Sequence, residues 1–218
     1  MVPLLEQLGC EVIAINDAVN GRFAHNPEPL PEHLTELSAA VIKHNAHLGV
    51  AVDPDVDRLA LICEDGEPFG EEYTLVAVAD YVLKHHNGGN SVSNLSSTQA
   101  LEKITEKYGG TYSASAVGEV NVVHMMKENN AIIGGEGNGG IIYPALHYGR
   151  DAMVGIALVL SHMAESGKPA TVLRSLYPNY IIIKDKIQLT EDIDIDLLLS
   201  KLTEKYHRYP QNAIDGLK

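Results

Sequence analysis

Helix-like and strand-like segments alternate along the sequence from residue 71 to residue 165. Apolar residues recur with a helical period in the longer segments, and short apolar runs separate them. The pattern predicts helices at 71–86, 98–108, 119–128 and 151–165, and strands at 91–95, 111–115 and 131–134. Because strands connected by helices usually pair in parallel, the chain is expected to adopt an α/β fold with helices layered on the sheet.

The flanking segments extend this pattern less completely. They are expected to form strands at 11–15, 48–52, 59–63 and 181–187, helices at 3–8, 32–45 and 197–206, and a hairpin turn at 64–66. We therefore predict two consecutive three-layer α/β domains with mixed, mostly parallel sheets, at residues 1–67 and 68–180. Residues 181–218 are predicted to be the truncated start of a further domain. A parallel sheet rarely begins with a helix, so we also expect a truncation at the N-terminus.

The charge of the chain argues against some classes of partner. The sequence has 16 Lys and Arg residues against 29 Asp and Glu residues, a net charge of −13 that repels a nucleic-acid backbone. It has no apolar run of about 18 residues, the length that a membrane span needs, and residues 1–10 lack the positive region and the long apolar core that are typical of an export signal. We therefore expect a cytoplasmic protein that binds neither nucleic acid nor membrane. The two cysteines, Cys10 and Cys63, are expected to be buried free thiols.

Three aspartates stand at alternate positions between two apolar runs. In an extended chain, side chains two residues apart point to the same side, so Asp53, Asp55 and Asp57 are expected to converge on one point. Three carboxylates this close require a cation, and a hard divalent ion such as Mg²⁺ suits oxygen ligands. Arg58, which follows directly, offers a planar guanidinium suited to a phosphate oxygen.

Two other interpretations of this aspartate loop, residues 53–58, are open at this point. A calcium-binding EF-hand also begins with alternating acids, and Glu64 falls at its twelfth position, but the sixth position holds Arg58 where that loop needs glycine. The carboxylates could also form a solvated turn without a ligand. The two flanking apolar runs and the adjacent arginine favour the metal site.

A second unusual segment is the glycine loop, residues 134–140, which has five glycines around one acid and one amide. Glycine lets the backbone approach a ligand closely, and Glu136 and Asn138 present an acceptor and an amide that suit sugar hydroxyls. The segment lacks the Gly-Lys-Ser/Thr ending of a P-loop. A flexible β-hairpin without a ligand is the alternative interpretation.

With these motifs the chain resembles the α-D-phosphohexomutase family, over essentially its whole length. The motifs that carry the resemblance are Asp53-Pro-Asp55-Val-Asp57-Arg58, Ser115-Ala-Val-Gly118, Gly135-Glu136-Gly-Asn138-Gly-Gly140, Gly149-Arg150-Asp151 and Pro27-Glu28-Pro29. The aspartate motif has Pro54 and Val56 where family members commonly have glycine, but its three acids and its arginine are intact. Asn138 stands where many members have serine, which leaves the choice of hexose open.

The resemblance implies a reversible shift of phosphate between the 1 and 6 positions of a hexose, through a phosphoserine and a sugar bisphosphate. Glucose or mannose phosphate is the expected substrate, and glucosamine phosphate is the alternative. The resemblance assigns the metal ligands to Asp53, Asp55 and Asp57, a catalytic role to Arg58, and substrate binding to a further set, namely Gly118, Gly135, Glu136, Asn138 and Arg150.

Family members have four domains, and the resemblance implies that this chain holds most of the second, all of the third and the start of the fourth. The phosphoserine loop belongs to the first domain, so the chain alone is expected to be inactive. Two rival functions remain. One is a binding module that holds an ion or a phosphosugar without turnover, and the other is a metal-dependent phosphatase, for which no sugar loop is expected.

Overall fold

The structure of the chain is a computed structural model that describes residues 1–18, 20–183, 187–190 and 193–217. Its larger sheet has four strands, in the order β4-β3-β5-β6. The strands are β3 (Asn90–Asn94), β4 (Tyr112–Ser115), β5 (Ala131–Glu136) and β6 (Gly140–Ile142). Strand β3 runs parallel to β4 and β5, and β6 returns antiparallel to β5. The prediction of an α/β fold with a mostly parallel sheet is confirmed.

Helices cover both faces of this sheet. They are α3 (Glu71–His85), α4 (Ala100–Lys107), α5 (Glu119–Glu128) and α6 (Ala152–Ser166). Helix α3 packs on β5 and also against α4 and α6, so almost all of its length is buried. Helix α5 packs against β3 and β5, where Met126 and Val122 join a separate apolar cluster with Val92. The result is a three-layer sandwich of the predicted type.

The elements that precede α3 form a first unit, in which a hairpin lies beside a helix, and the four-stranded sheet with its helices forms the second unit. Its elements are α1 (Val2–Gln7), a 3-10 turn (Pro31–His33), α2 (Thr35–His44), β1 (Leu48–Val52) and β2 (Leu59–Cys63). The two strands pair antiparallel, and the turn after β2 brings the Phe69 amide to the Leu61 carbonyl at 2.9 Å. The predicted hairpin turn at 64–66 is therefore confirmed.

One predicted strand of the first unit is wrong. Residues 11–15, all of them described, form no strand, and all five are exposed or only half-buried. A strand needs a neighbour to accept and donate its backbone hydrogen bonds. Among the described residues no strand lies beside 11–15, so the apolar composition of the segment does not produce a ladder. Cys10, next to this segment, is half-buried, whereas Cys63 in β2 is buried as predicted.

The C-terminal part differs from the prediction in two places. A short helix, α7 (Ala170–Ser175), follows Pro169 and was not expected, because six residues are too few to show a helical period. Residues 181–183 form no strand, and residues 184–186 of the predicted strand lie outside the described residues. The last predicted helix is confirmed as α8 (Ile195–Lys205). Along the described ranges, no helix is long and apolar enough to cross a membrane.

The two units share one core at the point where the aspartate loop meets the glycine loop. Leu59, the first residue of β2, is fully buried, and its amide donates to the Gly139 carbonyl over 3.1 Å. Arg58 pairs with Gly140 as an isolated antiparallel bridge. Helix α6 also packs against β2. The loop that carries the three aspartates is thus fixed against the sheet of the second unit.

Candidate functional site

The aspartate loop is a turn between β1 and β2, which corrects the geometry expected from the sequence. Asp53 follows β1 directly, and its carbonyl accepts a hydrogen bond from the Val56 amide over 3.1 Å. Val56 has a positive φ of 61°, which a β-branched residue rarely adopts. Its carbonyl accepts the Ala152 amide at the first turn of α6 over 3.0 Å. The carboxylates therefore converge because the chain turns. The extended geometry that we expected is absent from this described segment.

Asp53 holds the turn together. The residue is 3% exposed, and its Oδ1 accepts the amides of Asp57 and Arg58, both over 3.0 Å. Its other oxygen, Oδ2, accepts Nε of Arg58 over 3.0 Å. A buried carboxylate with three donors is well satisfied, so Asp53 fixes the loop while the exposed Asp55 remains accessible.

The three carboxylates meet closely enough to share a cation. One oxygen from each of Asp53, Asp55 and Asp57 lies within 4.8 Å of the others. Among the described side chains, Oδ1 of Asp57 is one of the few buried polar atoms without a hydrogen-bond partner. A buried acceptor without a donor is costly, and a bound hard cation would satisfy it. The donor set therefore fits a divalent ion with a preference for oxygen.

The electrostatics of the loop agree with this fit. Burial raises the pKa of Asp57 to about 6, and its contact with Asp53 acts in the same direction, against the opposing charge of Arg150. Burial also acts on Asp53, but hydrogen bonds from the Arg58 amide and from Asp57 outweigh it, so the pKa of Asp53 lies below its usual value. Burial thus penalises the charged form of Asp57, and the neighbouring carboxylates add to the penalty, which a cation at this point would relieve.

The EF-hand interpretation fails on the position of its last ligand. Glu64 lies after β2, and its carboxylate accepts the Thr171 amide at the start of α7 over 3.2 Å and also the Thr171 hydroxyl. Residues 59–63 form β2 where an EF-hand would continue its loop. Glu64 therefore anchors α7 to the first unit and contributes nothing to the aspartate cluster.

Arg58 is oriented by carboxylates on two sides. Besides its contact with Asp53, its Nη1 donates to Oε1 of Glu28 over 3.0 Å. Glu28 lies in the Pro27-Glu28-Pro29 motif, which has no regular structure. The side chain of Arg58 remains 32% exposed beside the aspartates. It is positioned to meet an anion that approaches this loop.

The glycine loop is the hairpin between β5 and β6, and it is tightly packed where a flexible segment was the alternative expectation. Gly135 stands opposite Ile141, and a Cβ at Gly135 would lie 2.0 Å from the Gly140 carbonyl oxygen. Glycine is therefore required there by the close approach of the two strands. Asn138, which is half-buried, turns its Oδ1 back to accept the Gly140 amide over 3.2 Å.

Glu136 is the most enclosed polar side chain of this loop. It is 5% exposed, and its Oε1 accepts Nδ2 of Asn94 over 2.8 Å and the Gly118 amide over 3.3 Å. Its Oε2 accepts Nη1 of Arg150 over 2.7 Å. Gly118 precedes α5 with a φ of 112°, a conformation that suits glycine. The structure thus brings three of the predicted substrate-binding residues, Gly118, Glu136 and Arg150, into direct contact.

Arg150 joins the glycine loop to the aspartate loop. One terminal nitrogen binds Glu136, and the other, Nη2, makes a short contact with Oδ2 of Asp57. On a third side, Nε lies 3.4 Å from Oε2 of Glu119, and the backbone amide of Arg150 donates to the other oxygen of Glu119 over 3.1 Å. The next residue, Asp151, accepts the amides of the first turn of α6 and so holds that helix in place.

Two residues of this arrangement were not found from the sequence. Asn94 ends β3, and its Oδ1 accepts the Ser96 amide and the Ser97 hydroxyl. Because ligands bind beyond the carboxyl ends of parallel strands, a polar residue at that end of β3 was a usable signal. Glu119 stands in the first turn of α5, where an acid is expected for capping reasons alone, so its contact with Arg150 had no sequence signal.

Comparison with known families gives two matches that together cover most of the chain. A family model described as phosphoglucomutase/phosphomannomutase, alpha/beta/alpha domain II, matches residues 1–66. The model described as alpha/beta/alpha domain III of the same proteins matches residues 70–180.

Curated relatives have related descriptions. A phosphoglucomutase/phosphomannomutase of Thermococcus kodakarensis is 36% identical over 99% of this chain and 47% of its own length. A phosphoglucosamine/phosphogalactosamine mutase of Sulfurisphaera tokodaii is 31% identical over 97% of this chain and 48% of its own length. The chain thus spans about half the length of the curated relatives that it matches.

A solved structure shows the same fold. The crystal structure of a phosphoglucomutase/phosphomannomutase family protein from Burkholderia thailandensis superimposes with a TM-score of 0.83 at 26% identity. The superposition covers 99% of this chain and 47% of that chain. The arrangement of both units is therefore shared with a protein about twice as long.

Proposed function

The chain belongs to the α-D-phosphohexomutase family, and on this premise we propose that the protein containing it shifts phosphate reversibly between the 1 and 6 positions of a hexose. The observation that carries the proposal is the direct link between the two loops. Arg150 contacts Asp57 of the aspartate loop and Glu136 of the glycine loop with two nitrogens of one guanidinium. A metal site and a polar sugar-binding loop held side by side suit a phosphorylated sugar.

We assign the metal ligands to Asp53, Asp55 and Asp57, and Mg²⁺ is the ion that we propose. When bound, Mg²⁺ would neutralise charge on a phosphoryl group, which is the main requirement of phosphoryl transfer. The protein's own contribution is to fix the ligands. Asp53 is buried and held by three hydrogen bonds, so the chain's own donors help to fix the shape of the loop.

Arg58 is proposed to contact the phosphoryl group. Its Nε and Nη1 are held by Asp53 and Glu28, so the guanidinium has one orientation beside the aspartates. A planar, permanently charged group in a fixed orientation stabilises the negative charge that is distributed over a phosphoryl group during its transfer. The phosphoserine that donates the phosphate is proposed to come from a part of the protein outside these 218 residues.

The substrate hydroxyls are proposed to meet the glycine loop and its neighbours. Glu136 and Asn138 supply oxygen acceptors, and Gly118 and Gly135 allow the backbone to approach closely. In this structure the oxygens of Glu136 accept donors from the protein, so a sugar hydroxyl would share or replace one of those hydrogen bonds. That Arg150 itself binds substrate stays a prediction.

Glucose or mannose phosphate is the proposed substrate, as the description of the Thermococcus relative suggests. Glucosamine phosphate is the second candidate, because the Sulfurisphaera relative is described as a phosphoglucosamine/phosphogalactosamine mutase at similar identity. We propose that the reaction takes place in the cytoplasm. A non-catalytic role is the rival of a different class, since this chain spans about half of its relatives.

The test is an assay of the full-length protein with glucose, mannose and glucosamine 1-phosphate in turn, each with Mg²⁺. Formation of the 6-phosphate, followed by phosphorus NMR, is expected with at least one sugar and should stop when a chelator is added. The 218-residue chain alone is expected to bind Mg²⁺ without turnover. If the full-length protein converts none of the three sugars, the binding-module interpretation replaces the mutase.

A further inference from the structure

We propose that Arg150 is a positioning residue that couples divalent-ion binding at Asp57 to the carboxylate of Glu136. The proposal deepens the proposed function, because it rests on a metal site at the aspartate loop and a sugar site at the glycine loop. It assigns to Arg150 a task different from direct contact with substrate. Through Arg150, ion binding at the aspartate loop would depend on the charge of Glu136 in the glycine loop.

The geometry places one cation among three carboxylates from three elements. Asp57 comes from the turn after β1, Glu136 from the end of β5 and Glu119 from the first turn of α5. Each faces a different nitrogen of Arg150, whose side chain is 18% exposed. The planar guanidinium fixes these nitrogens relative to one another. A movement toward one carboxylate is therefore a movement away from another.

The hydrogen bonding of Arg150 is unequal on its three sides. Nη1 donates to Glu136 over 2.7 Å and Nη2 donates to Asp57, but Nε is buried and has no hydrogen-bond partner among the described residues. Oε2 of Glu119 lies 3.4 Å from that nitrogen, close enough for a small shift to complete the bond. The present position of Arg150 thus favours Asp57 and Glu136 over Glu119 and leaves a second arrangement within reach.

An ion at the aspartate loop changes this balance. When Asp57 shares its charge with a divalent ion, its attraction for Arg150 weakens, and Arg150 pairs more fully with Glu136 and Glu119. Conversely, removal of the charge on Glu136 strengthens the pair between Arg150 and Asp57, which then competes with the ion. Coupling between two binding sites is reciprocal, so the same link would let a sugar on Glu136 change ion affinity.

A purely structural Arg150 makes a different prediction. If it served only to neutralise buried acids, changes at Glu136 and Arg150 would affect ion affinity independently. The distinguishing quantity is therefore the non-additivity of the two substitutions, which a double-mutant cycle measures.

The experiment is calorimetric titration of the chain with Mg²⁺, in the wild type, in Glu136→Gln, in Arg150→Met and in the double variant. In the wild-type background, Glu136→Gln is expected to weaken Mg²⁺ binding by at least about fivefold, the lower end of ordinary site-to-site coupling. In the Arg150→Met background, Glu136→Gln is expected to change Mg²⁺ affinity by less than about twofold, as for independent sites.

A second cycle with Arg150→Lys guards against misfolding of the methionine variant. Lysine keeps the charge but cannot present two fixed nitrogens to two carboxylates, so the coupling should again be largely lost. Arg174→Lys is the matched control. Arg174 stacks on Tyr73 and donates to the Phe69 carbonyl, and it is expected to leave the effect of Glu136→Gln unchanged.

The outcomes separate the two proposals. Mg²⁺ binding with fully additive effects in both cycles would overturn the coupling and leave the proposed function intact. Absence of Mg²⁺ binding in the wild type would overturn the metal site and, with it, the coupling. Loss of the Glu136→Gln effect in both Arg150 backgrounds, together with its retention in Arg174→Lys, supports the coupling.

Discussion

The Leu59 amide donates to the Gly139 carbonyl over 3.1 Å, and this hydrogen bond ties the residue directly after the aspartate loop to the glycine loop. Leu59 is the first residue of β2, and Gly139 lies at the tip of the hairpin between β5 and β6. Gly139 has a φ of 86°, and a Cβ there would lie 2.2 Å from the Leu59 carbonyl oxygen. Only glycine fits both the conformation and the space.

We predict that Gly139→Ala separates the two loops. The substitution adds backbone strain of about 1–2 kcal/mol and a clash with backbone that cannot relax locally, so the total loss should exceed about 2 kcal/mol. The measurement is urea unfolding of wild type and variant by circular dichroism. Mg²⁺ binding, followed in the same variant, should weaken as Arg58 and its neighbours shift.

Gly109→Ala is the control for this variant. Gly109 has a similar φ of 73°, but nothing lies within 4 Å of the position that a Cβ would take. The control thus carries the strain without the clash. Equal losses of stability in the two variants would show that the contact between the loops contributes nothing.

We predict that Asp55→Asn weakens Mg²⁺ binding while the fold is retained. Asp55 is exposed, and one of its oxygens lies within 4.8 Å of oxygens of Asp53 and Asp57. Removal of one charged ligand should lower ion affinity by at least about tenfold, since even outer partners of metal ligands have effects of this size. Calorimetric titration with Mg²⁺ measures the change, and turnover by the full-length variant should be lost.

The exposed Asp65 provides the matched control. It lies in the turn after β2 and accepts the Glu67 amide, away from the cluster. Asp65→Asn removes the same charge and should leave ion affinity within about twofold of wild type. If Asp55→Asn binds Mg²⁺ as tightly as this control, Asp55 is not a ligand.

The aspartate loop could be located from the sequence because alternating acids between two apolar runs are a local pattern. Its geometry could not, since the turn depends on the contact between the Val56 carbonyl and the first turn of α6, almost a hundred residues later. The long helices were predictable for a related reason. Helix α3 packs on most sides, and its apolar run is continuous.

The sequence does not predict the interactions that form only when the elements of the fold pack together. Glu119 meets Arg150 because α5 and the loop before α6 lie at the same end of the sheet, and no spacing in the sequence encodes that distance. The failed strand at 11–15 shows the converse. Its apolar residues are suited to a sheet, but a ladder depends on a neighbouring strand that composition cannot report.

A buried ionic network in the second unit leads to a prediction about stability in acid. Asp80 of α3 is 5% exposed and accepts hydrogen bonds from Lys107, Tyr108 and Tyr177. His162 of α6 lies 3.4 Å from its second oxygen. Burial alone would raise the pKa of Asp80, but its bonds to His162, Lys107 and Tyr108 outweigh that effect and hold the pKa far below its usual value.

We predict that Asp80→Asn costs about 2 kcal/mol at neutral pH, as expected for loss of hydrogen bonds to a buried charge. Because the folded pKa is depressed, the contribution of Asp80 is complete above the unfolded pKa of about 4 and is lost as the pH falls through the folded pKa. The difference in free energy of unfolding between wild type and variant should therefore become smaller below about pH 4.

Urea unfolding at several pH values measures this difference, and Asp17→Asn, at an exposed position, is the control. A difference that stays constant with pH would contradict the prediction.

The two thiols are predicted to differ in reactivity. Burial, together with the nearby charges of Asp65 and Glu64, raises the pKa of the Cys63 thiol to about 12, so almost none of it is thiolate at pH 8. Cys10 lies outside the strands and is half-buried. A thiol reagent at pH 8 should therefore modify Cys10 in the folded chain and Cys63 only as the chain unfolds. The control is Cys10→Ser, which should remove the early phase of thiol modification and leave a slow phase that urea accelerates.

Early modification of Cys63 in that variant would contradict the prediction, because it would show that β2 opens readily. The aspartate loop, which β2 anchors, would then lack the fixed geometry on which ion binding depends.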